Sequence, residues 1–215
     1  MVYNKAEFKK HIETLQVEGF KLKNAVQAYL FVRKYSNRTE TITLSYRNYA
    51  PHGFYIDGVS ADIYFPEVEG VLEQYGLVEE YKSTLGKSFQ NIQGINYQLL
   101  SIEINSYETF NLIKPVVEEI VEKGAMPFFH RFSSLQNLAD FLADKKVEEI
   151  RPYIQGGILL LKTALILKMT NHNKFMERLN EFRNILNEYS SKNNSYYILF
   201  EKFDTLFASD IESNK

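Results

Sequence analysis

Three side chains in the first half of the chain have the residue types that acid–base catalysis needs. His52 stands in the predicted loop APHG, and Asp57 and Asp62 follow on a predicted strand. A histidine titrates near neutral pH, and a neighbouring carboxylate can exchange a proton with it or orient it. Side chains alternate along a strand, so the odd spacing of the two aspartates puts them on opposite faces unless a bulge at Gly58 intervenes. His52, Asp57 and Asp62 are therefore catalytic candidates only if the strand has that bulge.

Motifs for other enzyme chemistry are absent from the chain. It has no cysteine, no glycine-rich phosphate-binding loop, no zinc-protease motif and no nucleophile elbow. Its four histidines are scattered singly, without the spacing or the acidic neighbours of a metal site. We therefore predict no metal and no cofactor, and the sequence favours a function without catalysis.

The middle third of the chain is strongly acidic. Residues 51–125 contain 4 Lys and Arg against 12 Asp and Glu, a net charge of −8, while the remainder carries +6, for a total of −2. Such charge most often covers the solvated faces of helices. It also suits a surface that meets a basic protein partner, with Glu118, Glu119 and Glu122 on one predicted helix as the candidate contacts. The leading functional prediction is a non-enzymatic protein-interaction module.

A second function that the sequence leaves open is binding of single-stranded nucleic acid. The first predicted strands interleave basic and aromatic side chains, which is typical of proteins that stack on bases. These residues are Lys21, Lys23, Tyr29, Phe31, Arg33, Lys34, Tyr35, Arg38, Tyr46, Arg47 and Tyr49. Helices usually cover the aromatic face of a sheet, and a net charge of −2 is unlike that of a dedicated nucleic-acid binder. Nucleic-acid binding therefore ranks below protein binding.

A third function left open is a small-ligand site or enzyme pocket near His52 and Asp57. The segment Glu79–Asn96 contains two glycines and little periodicity, so it is predicted to be a long connecting loop. Loops of this kind often carry recognition residues or close over a site. A concave polar pocket beside Asp57 would favour this alternative.

Alternating patterns predict an antiparallel sheet of about four strands. The first two strands form a hairpin around the turn SNRT, and in the second Ile42, Leu44 and Tyr46 share one face. The third strand covers Phe54–Phe65 and the fourth covers Tyr97–Asn105. A helix with Asn4 as its N-cap precedes the sheet and is predicted to continue to about residue 17.

Beyond residue 105 the chain is predicted to be helical. Ser106 caps a helix that Pro115 kinks or divides and that Gly124 ends. The apolar helix that contains Ile158–Met169 and the amphipathic helix Lys174–Tyr189 are joined by the short turn TNHN, so they are predicted to pack as an antiparallel hairpin.

The most apolar run of the chain, Ile154–Met169, has three possible interpretations: a membrane anchor, a cofactor site or a core helix. A membrane span needs about 20 apolar residues, and this shorter run contains Lys162 and Lys168. Aliphatic residues at helical spacing are more often core than ligand site, so we predict a core helix. Gly156 and Gly157 either allow a close approach of another element or mark the start of this helix.

These patterns predict the α+β class, with an N-terminal helix, a roughly four-stranded antiparallel sheet and a helical C-terminal half. We predict a sheet lobe at residues 1–105 and a helical lobe at residues 106–215, packed together as one domain. The N-terminus has no apolar signal region, so the expected location is the cytoplasm.

The segment PFFHRFSSLQNLADFL, Pro127–Leu142, is the most distinctive part of a wider pattern of element order. The pattern is an N-terminal helix, a meander of strands, this segment, and then an apolar helix followed by an amphipathic one. In this pattern the chain resembles a group of uncharacterised bacterial α+β domains. Some proteins of this style occur in toxin and immunity gene neighbourhoods, so the resemblance implies an inhibitor-like or immunity-like binding role. It implies no functional residue at any position of this sequence.

Overall fold

The computed structural model describes residues 3–49, 53–77, 83–154 and 156–213. The strands are β1 (Lys21–Ala25), β2 (Ala28–Lys34), β3 (Thr39–Tyr49), β4 (Gly53–Tyr64) and β5 (Leu85–Phe89). The helices are α1 (Lys5–Ile12), α2 (Pro66–Gln74), α3 (Tyr107–Ile120), α4 (Met126–Arg131), α5 (Leu135–Ala143), α6 (Val147–Ile150), α7 (Leu159–Met169), α8 (Phe175–Ser190), α9 (Asn194–Leu206) and α10 (Ala208–Glu212). A 3-10 helix covers Tyr97–Ser101, and a π-helical turn covers Val121–Ala125.

The predicted α+β class is confirmed, with an N-terminal helix, an antiparallel sheet and a largely helical second half. The sheet has five strands in the order β1-β2-β3-β4-β5. The predicted hairpin is β2 and β3, in which Phe31 lies opposite Ile42 and Arg33 lies opposite Glu40. The spatial order of the strands is therefore the same as their order along the chain, and each strand after β1 pairs with the one before it.

The two faces of the sheet differ in burial. One face carries buried side chains, and we call it the inner face. Its residues include Tyr29, Phe31, Ile42, Leu44 and Tyr46. The outer face carries the alternate residues of β3, from Thr39 to Tyr49, which are half-buried or exposed. This alternation is the one expected of an antiparallel sheet with a single covered face.

Helix α1 covers part of the inner face. Asn4 caps the helix as predicted, since its side chain accepts hydrogen bonds from the backbone of the first turn at 2.9 and 3.1 Å. The Phe8 ring stacks on Phe54 with a centroid distance of 4.4 Å, and it meets Tyr29 and Tyr46 edge-on. Aromatic pairs in these geometries add to the stabilisation from burial. The helix ends at Ile12, earlier than predicted.

Strand β4 changes phase at its centre. Phe54 and Ile56 are buried in its first half, whereas Val59, Ala61 and Ile63 are buried in its second half. Two successive residues, Asp57 and Gly58, lie between these sets and point away from the core. An extra residue in one strand has this effect in a β-bulge, so the pattern fits the predicted bulge at Gly58.

Three predictions about strands were wrong. The predicted fourth strand at Tyr97–Asn105 is a 3-10 helix followed by a single antiparallel bridge between Ile104 and Phe54. The predicted loop Glu79–Asn96 contains the strand β5, and its residues 78–82 lie outside the described part of the chain. The polar strand β1 was missed because it is an edge strand, and only Leu22 and Ala25 in it are half-buried.

The continuous helical stretch after Ser106 runs to Arg131 and is longer than predicted. The Ser106 hydroxyl accepts a hydrogen bond from the backbone of Thr109 at 3.2 Å, so the predicted cap is confirmed. Pro115 lies inside α3 without dividing it. Gly124 does not end the helix, because the π-helical turn carries the chain directly into α4. A β-carbon on Gly124 would lie 2.8 Å from Ile92, so this glycine permits close packing.

The apolar run forms helix α7, which is buried on nearly all sides as predicted. Lys162 is only 1% exposed, so this charged residue lies in the core together with its apolar neighbours. Its ammonium lies 3.1 Å from the Glu69 carboxylate and donates to the Ser83 carbonyl at 2.8 Å. Glu69 also accepts from the Thr84 hydroxyl at 2.8 Å. A buried charge is tolerated when it is paired and hydrogen-bonded in this way.

Gly156 and Gly157 are exposed and precede the helix, which begins at Leu159. Gly156 has a φ of +86°, a conformation that glycine adopts readily. The two glycines therefore mark the helix start, and the interpretation as a close approach is wrong. The predicted hairpin corresponds to α7 and α8, which contact each other. Helix α9 packs against α8, and Arg183 and Asp204 form two hydrogen bonds of 2.8 and 2.7 Å between these two helices.

The chain divides into two compact units. The first comprises residues 1–63 and 86–131, and the second comprises residues 64–85 and 132–215. The first unit holds α1, most of the sheet, α3 and α4, and the second holds α2 and the helices from α5 onward. No helix among the described residues is long and apolar enough to cross a membrane.

Candidate functional site

The first unit has two recesses that involve predicted site residues. One is an apolar pocket beside α3 with glutamates at its mouth, which we call the acidic pocket. The other is an open groove on the outer face with three tyrosines, which we call the tyrosine groove. Recesses of this kind are the usual places at which proteins bind partners or ligands.

The acidic pocket has a volume of about 300 Å³. Its floor consists of buried apolar side chains from the inner face and from the segments around it. These floor residues are Leu15, Phe31, Ile42, Leu44, Val59 and Val117. The half-buried side chains of Val17, Val121 and Met126 complete the walls. An apolar side chain or a small apolar group could fill this space and be removed from water.

Three glutamates surround this apolar space. Glu18 comes from the segment after α1, Glu118 from α3 and Glu122 from the π-helical turn, and all three are exposed. Glu118 has one distant ion pair, at 3.7 Å from the Lys114 ammonium. No ion pair of Glu18 or Glu122 occurs within the described ranges. The mouth of the pocket therefore has an excess of negative charge that a cation could neutralise.

The structure separates the three glutamates that were predicted to contact a partner. Glu118 and Glu122 line the acidic pocket. Glu119 does not line it, and its carboxylate forms an ion pair of 2.5 Å with Lys123. The Lys123 ammonium donates a hydrogen bond to the Glu119 carboxylate, and this bond raises the pKa of the ammonium, so both charges already have a partner. Glu119 is therefore a natural control for the other two.

The tyrosine groove has a volume of about 760 Å³ and lies on the outer face. Strands β3 and β4 form one side, and the end of β5 and the 3-10 helix form the other. Its lining residues are Arg47, Tyr49, Tyr55, Ile56, Asp57, Gly58, Phe89, Gln90, Tyr97, Leu100, Ser101 and Glu103. The groove is the concave polar pocket beside Asp57 that the small-ligand alternative required.

One end of the groove holds an ion pair. Arg47 donates from Nε to the Asp57 carboxylate and from Nη1 to the Tyr49 hydroxyl, the latter at 3.0 Å. The hydrogen bond to Asp57 raises the pKa of the Arg47 guanidinium. The two opposite charges neutralise each other, and the remaining N–H groups of Arg47 are left to contact a ligand.

The other end of the groove holds a tyrosine bound to a carboxylate. Tyr55 donates its hydroxyl proton to Glu103 at 3.0 Å, and this hydrogen bond raises the pKa of the tyrosine. The rings of Tyr49 and Tyr55 are nearly perpendicular, with a centroid distance of 5.5 Å. The Tyr97 hydroxyl accepts from the backbone of Ile92 at 3.2 Å, so its own proton can still be donated.

The predicted catalytic trio is only partly brought together. His52 lies outside the described residues. Asp57 lies in the groove, paired with Arg47. The phase change at Gly58 puts Asp62 on the outer face as well, where its carboxylate lies against Gly86 of β5 and not among the groove residues. The shared face was predicted conditionally, and Asp62 lies on it outside the groove, so the groove contains only one of the two aspartates.

Three of the five aromatic side chains proposed for nucleic-acid stacking face the wrong way for that function, whereas Tyr35 and Tyr49 are exposed. Tyr29, Phe31 and Tyr46 are at most 4% exposed, so they cannot stack on bases. Arg33 and Arg38 both bind the buried carboxylate of Glu40, at 2.7 to 2.8 Å. These residues stabilise the inner face, which weakens the nucleic-acid alternative.

Several groove residues were missed from the sequence, among them Tyr55 and Glu103. Tyr55 was assigned to a strand without a role, and Glu103 was assigned to a predicted strand that does not form. Only the alternation of Tyr55 with buried Phe54 and Ile56 could have indicated that this tyrosine faces outward. Among the described residues, no group of three or more histidines or carboxylates could hold a metal ion.

No protein-family model, curated protein or solved structure matches this chain.

Proposed function

We propose that the protein is a non-enzymatic protein-interaction module that binds a basic partner at the acidic pocket. The observation that carries this proposal is the position of Glu118 and Glu122 at the mouth of an apolar pocket. An apolar side chain of the partner enters the pocket, and flanking lysines or arginines meet the glutamates. An inhibitor-like or immunity-like role is one that such a surface could serve.

Two physical effects support this mode of binding. Buried apolar anchors in pockets supply most of the free energy in protein interfaces. Charges at the rim add less affinity, but they steer association and exclude partners of the wrong sign. The acidic pocket combines both features, because its floor is buried and its three glutamates are exposed.

The test is selection from a display library of short random peptides with the full-length protein as target. We expect the selected peptides to contain a Leu, Phe or Met flanked by Lys or Arg. The double variant Glu118→Lys, Glu122→Lys should weaken binding by at least about tenfold, and added salt should weaken binding to the unchanged protein.

The matched comparison is between the single variants Glu118→Lys and Glu119→Lys, which make the same charge reversal at adjacent positions, inside and outside the pocket. The control is Glu119→Lys. This variant should retain binding. Replacing the apolar anchor of the selected peptide with Ala should abolish binding. Equal losses in the Glu119 variant and the double variant, or peptides without basic residues, would contradict the proposal.

A further inference from the structure

The polar groups of the tyrosine groove are suited to hydroxyl groups. Tyr49, Tyr97 and Ser101 carry hydroxyls that can both donate and accept, and Gln90 carries an amide that does the same. The carboxylates only accept and the guanidinium only donates. A ligand that meets all of these groups must itself carry many donors and acceptors, as a polyhydroxylated molecule does.

The charges of the groove disfavour a strongly charged ligand. Arg47 is the single cation among the lining residues, and Asp57 already neutralises it. Glu103 would repel a phosphate or carboxylate in the ligand. A cationic ligand would have to compete with Arg47 for Asp57 and for the Tyr49 ring, whose centroid lies 5.7 Å from the guanidinium. A neutral ligand avoids both penalties.

The aromatic rings provide apolar surface for such a ligand. Tyr49 is 48% exposed, and its ring stands nearly at a right angle to that of Tyr55. The faces of aromatic rings attract weakly positive groups, including the polarised C–H groups on the flat side of a sugar ring. Tyrosine therefore supplies both an apolar contact and a hydroxyl at the same position.

The size of the groove favours a short chain over a single small molecule. Its volume of about 760 Å³ lies in the upper part of the range for ligand pockets, and the groove is open to solvent. A peptide chain is less well matched, because it has no neighbouring pairs of hydroxyls to bind one carboxylate through two hydrogen bonds. Adjacent sugar hydroxyls can bind Asp57 or Glu103 in this way.

From these features we propose that the tyrosine groove is a binding site for a neutral oligosaccharide. Sugar rings pack against Tyr49 and Tyr55, and their hydroxyls bind Asp57, Arg47 and Glu103. This site is separate from the acidic pocket, so the two proposals can fail independently.

The test is titration of the full-length protein with cellohexaose, chitohexaose, maltohexaose and xylohexaose, after a screen on an array of neutral glycans. Binding is measured by calorimetry and by changes in NMR signals of groove residues. At least one of these sugars, or an array glycan, should bind saturably. Tyr49→Ala and Glu103→Gln should each weaken binding by roughly tenfold.

Tyr197→Ala serves as the matched control, because Tyr197 is also an exposed tyrosine, at 51%, but lies on α9. This variant should bind with unchanged affinity. Circular dichroism of each variant separates loss of binding from loss of the fold. The proposal is overturned if no neutral glycan binds, if the groove variants bind as well as the unchanged protein, or if groove-dependent binding is found only for peptides.

Discussion

The inner and outer faces of the sheet carry the same kinds of side chain in different surroundings. On the inner face, Glu40 is fully buried between two arginines, and the Tyr29 hydroxyl has no hydrogen-bond partner among the described residues. On the outer face, Asp57 pairs with one exposed arginine, and Tyr55 is bound to Glu103. The same chemical groups therefore stabilise the fold on one face and remain accessible to a ligand on the other.

The largest expected effect comes from deleting Gly58. The deletion shifts the second half of β4 by one residue, so Val59, Ala61 and Ile63 turn to the outer face. Each of these side chains loses roughly 1.5 to 3 kcal/mol of burial energy, except the small Ala61, which loses less. We expect no cooperative unfolding transition in circular dichroism.

The control for this deletion is Gly58→Ala. A β-carbon at this position would meet no atom within 4 Å, so the substitution should leave the unfolding midpoint nearly unchanged. A folded deletion variant would show that β4 keeps its register without the extra residue, and that Gly58 does not set the difference between the two faces.

The second effect compares the two carboxylates. Glu40→Ala removes the partner of Arg33 and Arg38 and leaves their charges at a buried site. Breaking a buried ion pair from one side costs about 3–5 kcal/mol. Asp57→Ala should barely change the unfolding midpoint, because water replaces the lost partner of Arg47. Chemical denaturation of both variants measures the difference, and equal losses would show that burial does not distinguish the pairs.

The third effect compares two tyrosines and should have opposite signs. Tyr29→Phe removes a buried hydroxyl that has no partner, so it should stabilise the protein by up to about 1–3 kcal/mol. Burial raises the pKa of this tyrosine to about 12. Tyr55→Phe loses the hydrogen bond to Glu103 and should destabilise slightly. A destabilised Tyr29→Phe protein, measured by thermal unfolding, would show that this hydroxyl is satisfied in solution.

The smallest expected effect is a pH dependence from His11 on α1. Its Nδ1 lies 2.7 Å from the Tyr3 hydroxyl, and its ring contacts Tyr107 and Phe110. Burial lowers the pKa of His11 below its ordinary value of 6.5. The unfolded chain therefore takes up the proton first, so stability falls as the pH drops through 6.5 and levels off below the folded pKa.

NMR titration of the His11 ring checks this prediction, together with unfolding midpoints at about pH 7.5 and about pH 5. The exposed His130 provides the control, because His130→Gln should keep the same dependence on pH and His11→Gln should reduce it. A His11 pKa at or above 6.5 would contradict the prediction.

The sequence was sufficient to predict those strands and helices that bury one face. In β3 the strict alternation of Ile42, Leu44 and Tyr46 with polar residues defines both the strand and its inner face. Strand β1 has almost no apolar alternation, because an edge strand is held mainly by backbone hydrogen bonds to β2. Ile102 and Ile104 have strand-like spacing, but only Ile104 finds a partner strand. Pairing between distant segments cannot be read from local pattern.

The candidate sites were predictable in part. Asp57 was singled out from its residue type and its neighbour Gly58, and Glu118 and Glu122 from the local charge. Glu119 does not line the pocket, because it lies on a different side of the helix from Glu118 and Glu122. The charge pattern does not show which side of the helix faces the apolar floor. Residues Tyr55 and Glu103 are 48 positions apart, and only the folded chain brings them together.

The ion pair between Lys162 and Glu69 also has a consequence for protein synthesis. Glu69, Ser83 and Thr84 leave the ribosome well before Lys162, which lies 79 residues after Ser83. Both units consist of two separated stretches of chain, but the first unit is complete once Arg131 has emerged. During translation, the early stretch must therefore wait with an unpaired glutamate, and α7 supplies the missing cation only after the 79 residues that separate Lys162 from Ser83 have been made.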